Sequence, residues 1–369
     1  SATRYLGSNG TETAGTVGYN LAGASYDSVS FSVASQEAGP TPVTFNSDGT
    51  KMYVTGSGST SIHQYSLSTA FDLSTASYDS VSFSVASEAS LPYGLIFNNT
   101  GTKMYVLLAS TDSVYQYSLS TAFDLSTTSY DSVSFSVATQ ELNPTDIAFN
   151  NDGTKLYIVG RTNDSVFQYS LSTAFDLSTT SYDSVSFSVA SQDTSPYDIT
   201  FNNDGTKMYV VGGPADTVYQ YSLSTAFDIS TTSYDSVSFS VASQDTSPRG
   251  LSFNNDGTKL YVVGSVNDTI YQYSTASLTQ ALDLSTGTTF SFTPSGSTTV
   301  TFTNPPATGI AIGFSVEIVG DASAITWPSS IKWHLATAPT ATATKELYTF
   351  VTTDGGTTYY GKKAAEGIA

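Results

Sequence analysis

The side chains best suited to recognition chemistry are Tyr93, Tyr197, Arg161, Arg249, Asp146 and Asp198. A tyrosine offers a flat apolar face that stacks on a sugar ring and a hydroxyl that finds a polar partner. A guanidinium is a planar fork of donors that clamps a carboxylate or a sulfate. Arg161 and Arg249 are two of only three arginines in the chain, and the plainer reading is that they neutralise an acidic surface. Asp146 and Asp198 are hard oxygen donors that, with backbone carbonyls, suit Ca2+; apart from that option no cofactor is expected. Trp327, Trp333 and His334 gather around Pro328. They read either as the core of a small domain or as an aromatic platform for a sugar or a docking surface, and the scarcity of Trp elsewhere favours the core.

Catalytic sets are hard to assemble. The chain has no Cys and two His, His63 and His334, so neither a nucleophile triad nor a zinc site can be built. His63 falls in a column held by Tyr115, Phe167, Tyr219 and Tyr271 and reads as an aromatic packing position. A carboxylate pair for glycoside chemistry is conceivable among 31 acids, but nothing singles one out. No catalytic residue is assigned. The aspartates Asp112, Asp164, Asp216 and Asp268 are expected to accept hydrogen bonds from their own turns.

The 369 residues carry 12 Lys plus Arg against 31 Asp plus Glu, a formal charge of −19. A nucleic-acid partner and docking on an anionic membrane both need a basic surface, so neither is expected. No apolar run of about 18 residues is present, so membrane insertion is not expected either, and the start at Ser1 shows no leader pattern.

What positions the candidate residues is a repeat. SYDSVSFSVA begins at Ser25, Ser77, Ser129, Ser181 and Ser233, always 52 residues apart. Each unit reads as four strands: in the second, A around Leu95 to Phe97, B from Lys103 to Leu107, C from Val114 to Leu119, and D from Asp131 to Ala138. In D, Val133, Phe135 and Val137 alternate with serines, the period of a half-buried strand. Four strands per unit of this length indicate a propeller blade. The all-β chain is therefore expected to form a five-bladed β-propeller of four-stranded repeats over 25–285, after a linker or docking segment at 1–24 and before a small β-sandwich-like domain at 286–369. The strand from Asp27 to Ala34 has no blade of its own and is expected to close the fifth. The rival is that Thr289 to Thr293 is a displaced D strand.

The five copies also compare with one another. Phe97, Tyr105 and Gln116-Tyr117 recur unchanged in every unit, as residues that fill the space between blades would. The A–B turns and C–D connections are nearly constant. The D–A loops (QEAGPTP, EASLPYG, QELNPTD, QDTSPYD, QDTSPRG) and B–C loops differ. One face of the ring is uniform and the other differentiated, which makes the second the binding-site candidate, and the six recognition residues fall there, near the mouth of the channel.

The segments PYGLIFNNTGTKMYV, PTDIAFNNDGTKLYIV and PYDITFNNDGTKMYVV, followed by DSVYQYSLS, resemble the blade of YVTN-type surface propellers. Those rings usually have seven blades, so no site of theirs is carried over. The 52-residue unit joined to FSFTPSGSTTVTFTNPP, ITWPSSIKW and FVTTDGGTTYYG is similar to tail-fibre and other virion proteins of marine bacteriophages. The resemblance implies a non-enzymatic, extracellular virion component, a tail-fibre or host-recognition protein that meets other virion subunits and a host glycan or receptor. It also suggests a homo-oligomer, a trimer for instance, through the C-terminal domain. The alternatives are a secreted or surface carbohydrate-active propeller enzyme and a purely structural or decoration virion protein.

Overall fold

The computed structural model describes residues 18–275, 278–293, 298–319, 325–334, 338–339 and 345–367. The chain divides into two compact units, Tyr26–Thr275 and Ser1–Ser25 with Ala276–Ala369. The first is a five-bladed propeller, as the repeat predicts. In the second blade strands A to D are Pro92–Phe97, Lys103–Leu108, Ser113–Leu119 and Thr128–Ser136, paired in that order.

Strand D starts three residues before the Asp131 expected and stops at Ser136. The reason is a bulge. Gln116 faces Val133 but the next residue, Tyr117, faces Tyr130, and Ser132 takes a left-handed φ of 60°. The two unpaired residues, Asp131 and Ser132, reset the alternation and turn Asp131 inward. There it accepts from Lys103 Nζ at 2.6 Å, Gln116 Nε2 at 2.9 Å and Ser118 Oγ at 2.5 Å. The same cluster recurs in every blade, with ion pairs Lys51–Asp79, Lys155–Asp183, Lys207–Asp235 and Lys259–Asp27.

The invariant columns join blades. Tyr53 is fully buried, its ring centre 4.6 Å from that of Phe97 in the next blade. Its hydroxyl donates to the Phe123 carbonyl at 2.5 Å, and Gln64 Oε1 accepts from Leu125 N at 3.0 Å. Between the fifth and first blades the same bonds run from Tyr261 to the Phe71 carbonyl and from Leu73 N to Gln272 Oε1. The fifth sheet is completed by the N-terminal strand Ser25–Ser32, which lies beside Thr269–Ser274. The ring therefore has no open edge between its first and last blades.

In the second unit the chain passes between two sheets. One holds Leu278–Asp283, Thr298–Thr303 and Ile325–Thr326. The other runs in the order Thr289–Phe292, Ile312–Ile318, Glu346–Thr352, Tyr359–Glu366, Ile331–Trp333. Both contribute to one core, with Val300, Phe314, Val316 and Phe350 at its centre. Thr289–Phe292 pairs with Ile312–Ile318, so it is not a displaced blade strand.

Candidate functional site

Strand A of each blade lines the central channel, which encloses about 120 Å³. Its third residue forms one ring-shaped column: Pro42, Gly94, Asp146, Asp198 and Gly250. The acidic members stand side by side on the third and fourth blades, 5% and 3% exposed. Each reaches forward to the next blade: Asp146 Oδ2 accepts from Ile199 N at 3.2 Å and Asp198 Oδ2 from Leu251 N at 3.1 Å. The two carboxyl groups also influence each other's ionisation. Burial pushes Asp146 up to about 7 and, together with the charge of Asp146, lifts Asp198 well above the usual carboxylate range. Two neighbouring buried carboxyls do not both ionise readily, which favours a protonated member near neutral pH. For Ca2+ the pair supplies two acids, and among the described residues no third His, Cys, Asp or Glu joins them.

Above this dyad, at the mouth, the residue before each column member is Thr41, Tyr93, Thr145, Tyr197 or Arg249. A register shift between Pro196 and Asp198 marks Tyr197 as the extra residue of a bulge, freeing its side chain from the ladder. The ring is the hub of a cluster that spans three blades. Arg249 from the fifth places its Cζ 4.1 Å from the ring centre, and Arg161, from the B–C loop of the third, lies at 4.9 Å. Arg161 Nη1 also donates to the Tyr197 hydroxyl at 2.6 Å and Nη2 to Asn143 Oδ1 at 3.3 Å, while Arg249 Nε donates to Ser247 Oγ at 3.2 Å. Behind the ring sits Gly213, where a Cβ would come within 2.7 Å of Tyr197 Cε2. Tyr197 is thus a holder of guanidinium groups rather than an open stacking platform.

Among the described residues no carboxylate lies within 4.0 Å of either guanidinium, whereas all five blade lysines are paired. Arg161 Nε is buried with no partner. The plain reading of these arginines as local neutralisers therefore finds no acid in contact with them. Tyr93 is half-buried in the same column of the second blade.

The structure adds a set that sequence reasoning passed over. Glu37, Glu141, Asp193 and Asp245 are buried and clasp the B–C loop of their own blade. Glu141 Oε1, for example, accepts from Asn143 N at 2.8 Å and Thr162 N at 2.9 Å. The recurring acid after Gln in QEA, QEL and QDT was the signal. The turn aspartates have a different duty from the one expected. Asp112, Asp164, Asp216 and Asp268 hold the left-handed corner, φ 46–48°; Asp268 Oδ1 accepts from Gly39 N across 229 residues, and one oxygen each of Asp164 and Asp216 has no partner.

His63 is buried against Tyr78, in keeping with its aromatic column. Its Nε2 lies 3.2 Å from Ser59 Oγ, which itself donates to Glu37 Oε2, and burial lowers the imidazole's pKa. In the second unit Trp327 packs on the core, 4.8 Å from Tyr348 and 5.7 Å from Trp333. Trp333 is half-buried and His334 is exposed.

Comparison with known proteins follows the blades. The sequence model of the family described as "Lactonase, 7-bladed beta-propeller" matches residues 36–227. No curated protein matches the chain. Similar solved structures include a functionally unknown protein from Desulfotomaculum acetoxidans (13% identity, TM-score 0.39, 61% of this chain and 62% of that one). Two others are putative 6-phosphogluconolactonases. The one from Bacteroides uniformis shows 13% identity, TM-score 0.42 and coverage of 63% and 65%; the one from Bacteroides fragilis shows 15%, 0.39, 63% and 65%. The chain thus spans less than two thirds of each of these relatives. Because the matched residues make up slightly more than half of the sequence, the chain belongs to the lactonase seven-bladed β-propeller family, with a ring of five blades in place of seven.

Proposed function

We propose that the protein is a carbohydrate-recognition propeller that holds an anionic glycan at the mouth of its differentiated face. The observation that carries this is the pair of guanidiniums on the Tyr197 ring, without acid partners among the described residues. Their Cζ atoms lie 4.9 and 4.1 Å from one ring centre and so at most 9.0 Å apart. In a chain of charge −19 such a pair is a local positive site. Its planar forks suit a carboxylate or sulfate at short range, while long-range steering works against a polyanion. The tail resemblance at residues 290–361 adds the setting: an extracellular virion component that meets other virion subunits and a host surface, assembled through the C-terminal domain. The test is binding of the intact protein to immobilised polygalacturonate, a sulfated galactan and uncharged dextran. Arg249→Ala should weaken binding to the anionic chains, and Lys155→Ala on the uniform face should not. Equal loss from both, or preference for dextran, overturns the reading. For the assembly, a monomeric mass at micromolar concentration overturns it.

The carboxyl dyad favours a second reading, hydrolysis of a sugar lactone, in keeping with the family's name. On this reading Asp146 and Asp198 hold one proton between them. The ionised member would take a proton from water as the oxygen attacks the lactone carbonyl, and the protonated member would give its proton to the ring oxygen as the C–O bond breaks, leaving a hydroxy acid. The cavity that reaches the dyad holds about 120 Å³, below the roughly 300 Å³ of small-ligand pockets, which is why recognition is put first. Acid release from gluconolactone above the uncatalysed rate, abolished by Asp146→Asn, would reverse the order.

A further inference from the structure

We infer that the outer face of the five-stranded sheet in the second unit carries a separate ligand site, for a sugar ring bearing a carboxylate or sulfate. The strand registers build it. Ile331–Trp333 pairs with Tyr359–Glu366 so that Lys332 stands beside Tyr360, and Tyr360 in turn beside Val351; Lys362 stands beside Thr349. Tyr360 and Val351 are 62% and 45% exposed, although neighbouring Phe350 and Tyr348 are buried in the core. Around them lies an open groove of about 470 Å³, within the size of pockets that take one or two rings. Its lining also includes Trp333 and His334. A flat aromatic wall with cations on its rim is the chemistry of an acidic sugar.

The lysines make the choice of ligand specific. The described part of this unit holds four. Lys345 pairs with Glu317 at 2.8 Å, and Lys363 with Glu346 at 3.0 Å and Glu366 at 2.6 Å. The two that line the groove, Lys332 and Lys362, have no carboxylate within 4.0 Å among the described residues. Among the described lysines of this unit, those without a carboxylate partner are thus the two at the groove, as a site for an anion requires. A short groove on a chain of charge −19 favours a compact acidic saccharide over a long polyanion such as nucleic acid.

Both tryptophans of the chain, Trp327 and Trp333, are in this unit, so indole fluorescence reports on it selectively. The full-length protein is titrated with trigalacturonate, with a sulfated galactose disaccharide, with maltotriose and with a single-stranded oligonucleotide. A saturable change is expected with at least one of the two acidic sugars, and which one responds separates carboxylate from sulfate. The double variant Lys332→Gln with Lys362→Gln should weaken it about tenfold or more, the worth of one lost charge-assisted bond, and Tyr360→Ala should weaken it as well. Arg249→Ala should leave the titration unchanged, so failure here is distinguishable from failure at the propeller mouth. No saturable response to either acidic sugar, an equal response to maltotriose or the oligonucleotide, or undiminished affinity in the lysine variant would overturn the site. Self-association of the protein that vanishes in the lysine variant would assign the face to a second copy and overturn it too.

Discussion

Lys259 and Asp27, 232 residues apart in the chain, form a 2.6 Å ion pair in the fifth blade. In each of the other blades the equivalent partners are only 28 residues apart, as with Lys103 and Asp131. Asp27 also accepts from Gln272 at 3.0 Å and Ser274 at 2.6 Å. Burial raises its pKa, but those three bonds outweigh it and hold the carboxyl below its ordinary value. Asp27→Ala should lower unfolding stability by about 1–3 kcal/mol, as expected for bonds to a partly buried charge. Removing residues 1–32 should do more. It leaves Thr269–Ser274 as an open edge, so the protein should form oligomers by strand pairing. A shortened chain that stays monomeric with an unchanged melting temperature would disprove closure as a stabilising device.

The same five carboxylates set the behaviour in acid. Asp27, Asp79, Asp131, Asp183 and Asp235 are all depressed in the folded protein, burial opposing and the Lys, Ser and Gln bonds prevailing. Their contribution is therefore present above the unfolded value near pH 4 and is lost as pH falls through the lower folded values. Thermal melts from pH 5 down to pH 2 should show a steep loss, shallower in a Lys103→Met/Asp131→Leu double variant.

Gly101 answers to two constraints at once. Its φ is 70°, and a Cβ there would lie 2.2 Å from the Phe123 ring. Phe123 itself has φ 61°, a costly conformation for an aromatic residue, and its carbonyl accepts the Tyr53 hydroxyl of the preceding blade. Gly101→Ala should cost roughly 2 kcal/mol or more. Tyr53→Phe removes only the hydroxyl and should cost about 0.5–1.5 kcal/mol. Chemical denaturation ranks them, and an alanine variant as stable as the parent would show that the turn tolerates a side chain.

The blades were legible because one solution is repeated: 52-residue spacing, unchanged Phe97, Tyr105 and Gln116 columns, and an N-terminal strand with no blade of its own. The bulge at Asp131 and Ser132 was not, because its serines mimic continuous alternation. The differentiated face named Tyr197, Arg161 and Arg249, but their convergence depends on the strand bulges that carry Tyr197 and Arg249 and on the loop that carries Arg161, from three blades, which no local pattern encodes. The free lysines of the second unit were hidden for another reason. Lys332 meets Tyr360 only through pairing of strands 28 positions apart.

The dyad gives a pH dependence of opposite sign to the acid-labile set. A carboxyl whose folded value lies above the unfolded value near 4 keeps a proton that the unfolded chain has already released. Its contribution is full below that value and is lost as pH rises towards about 7 for Asp146 and beyond for Asp198. The slope is about 1.4 kcal/mol per pH unit for each proton so held. Asp198→Asn keeps an oxygen for Leu251 N and removes one charge. Between pH 5 and 8 the variant should therefore lose less stability than the parent, by about 1–3 kcal/mol. Parallel stability curves would show that the two carboxyls do not share a proton.

At the mouth, Tyr197 acts through its neighbours. Its hydroxyl holds Arg161 at 2.6 Å, while its face holds both guanidiniums. Tyr197→Phe keeps the face and loses one bond, so it should weaken binding to polygalacturonate by about two- to tenfold, the range of one hydrogen bond. Tyr197→Ala releases both arginines and should weaken it as much as Arg249→Ala with Arg161→Ala. Tyr93→Ala in the second blade tests direct stacking, since among the described residues no guanidinium lies over its ring. If Tyr93→Ala abolishes binding and the arginine variants do not, the ligand is a neutral sugar held by Tyr93. If Tyr197→Phe binds as tightly as the parent and Tyr197→Ala does too, the guanidiniums need no scaffold and the cluster has no part in recognition.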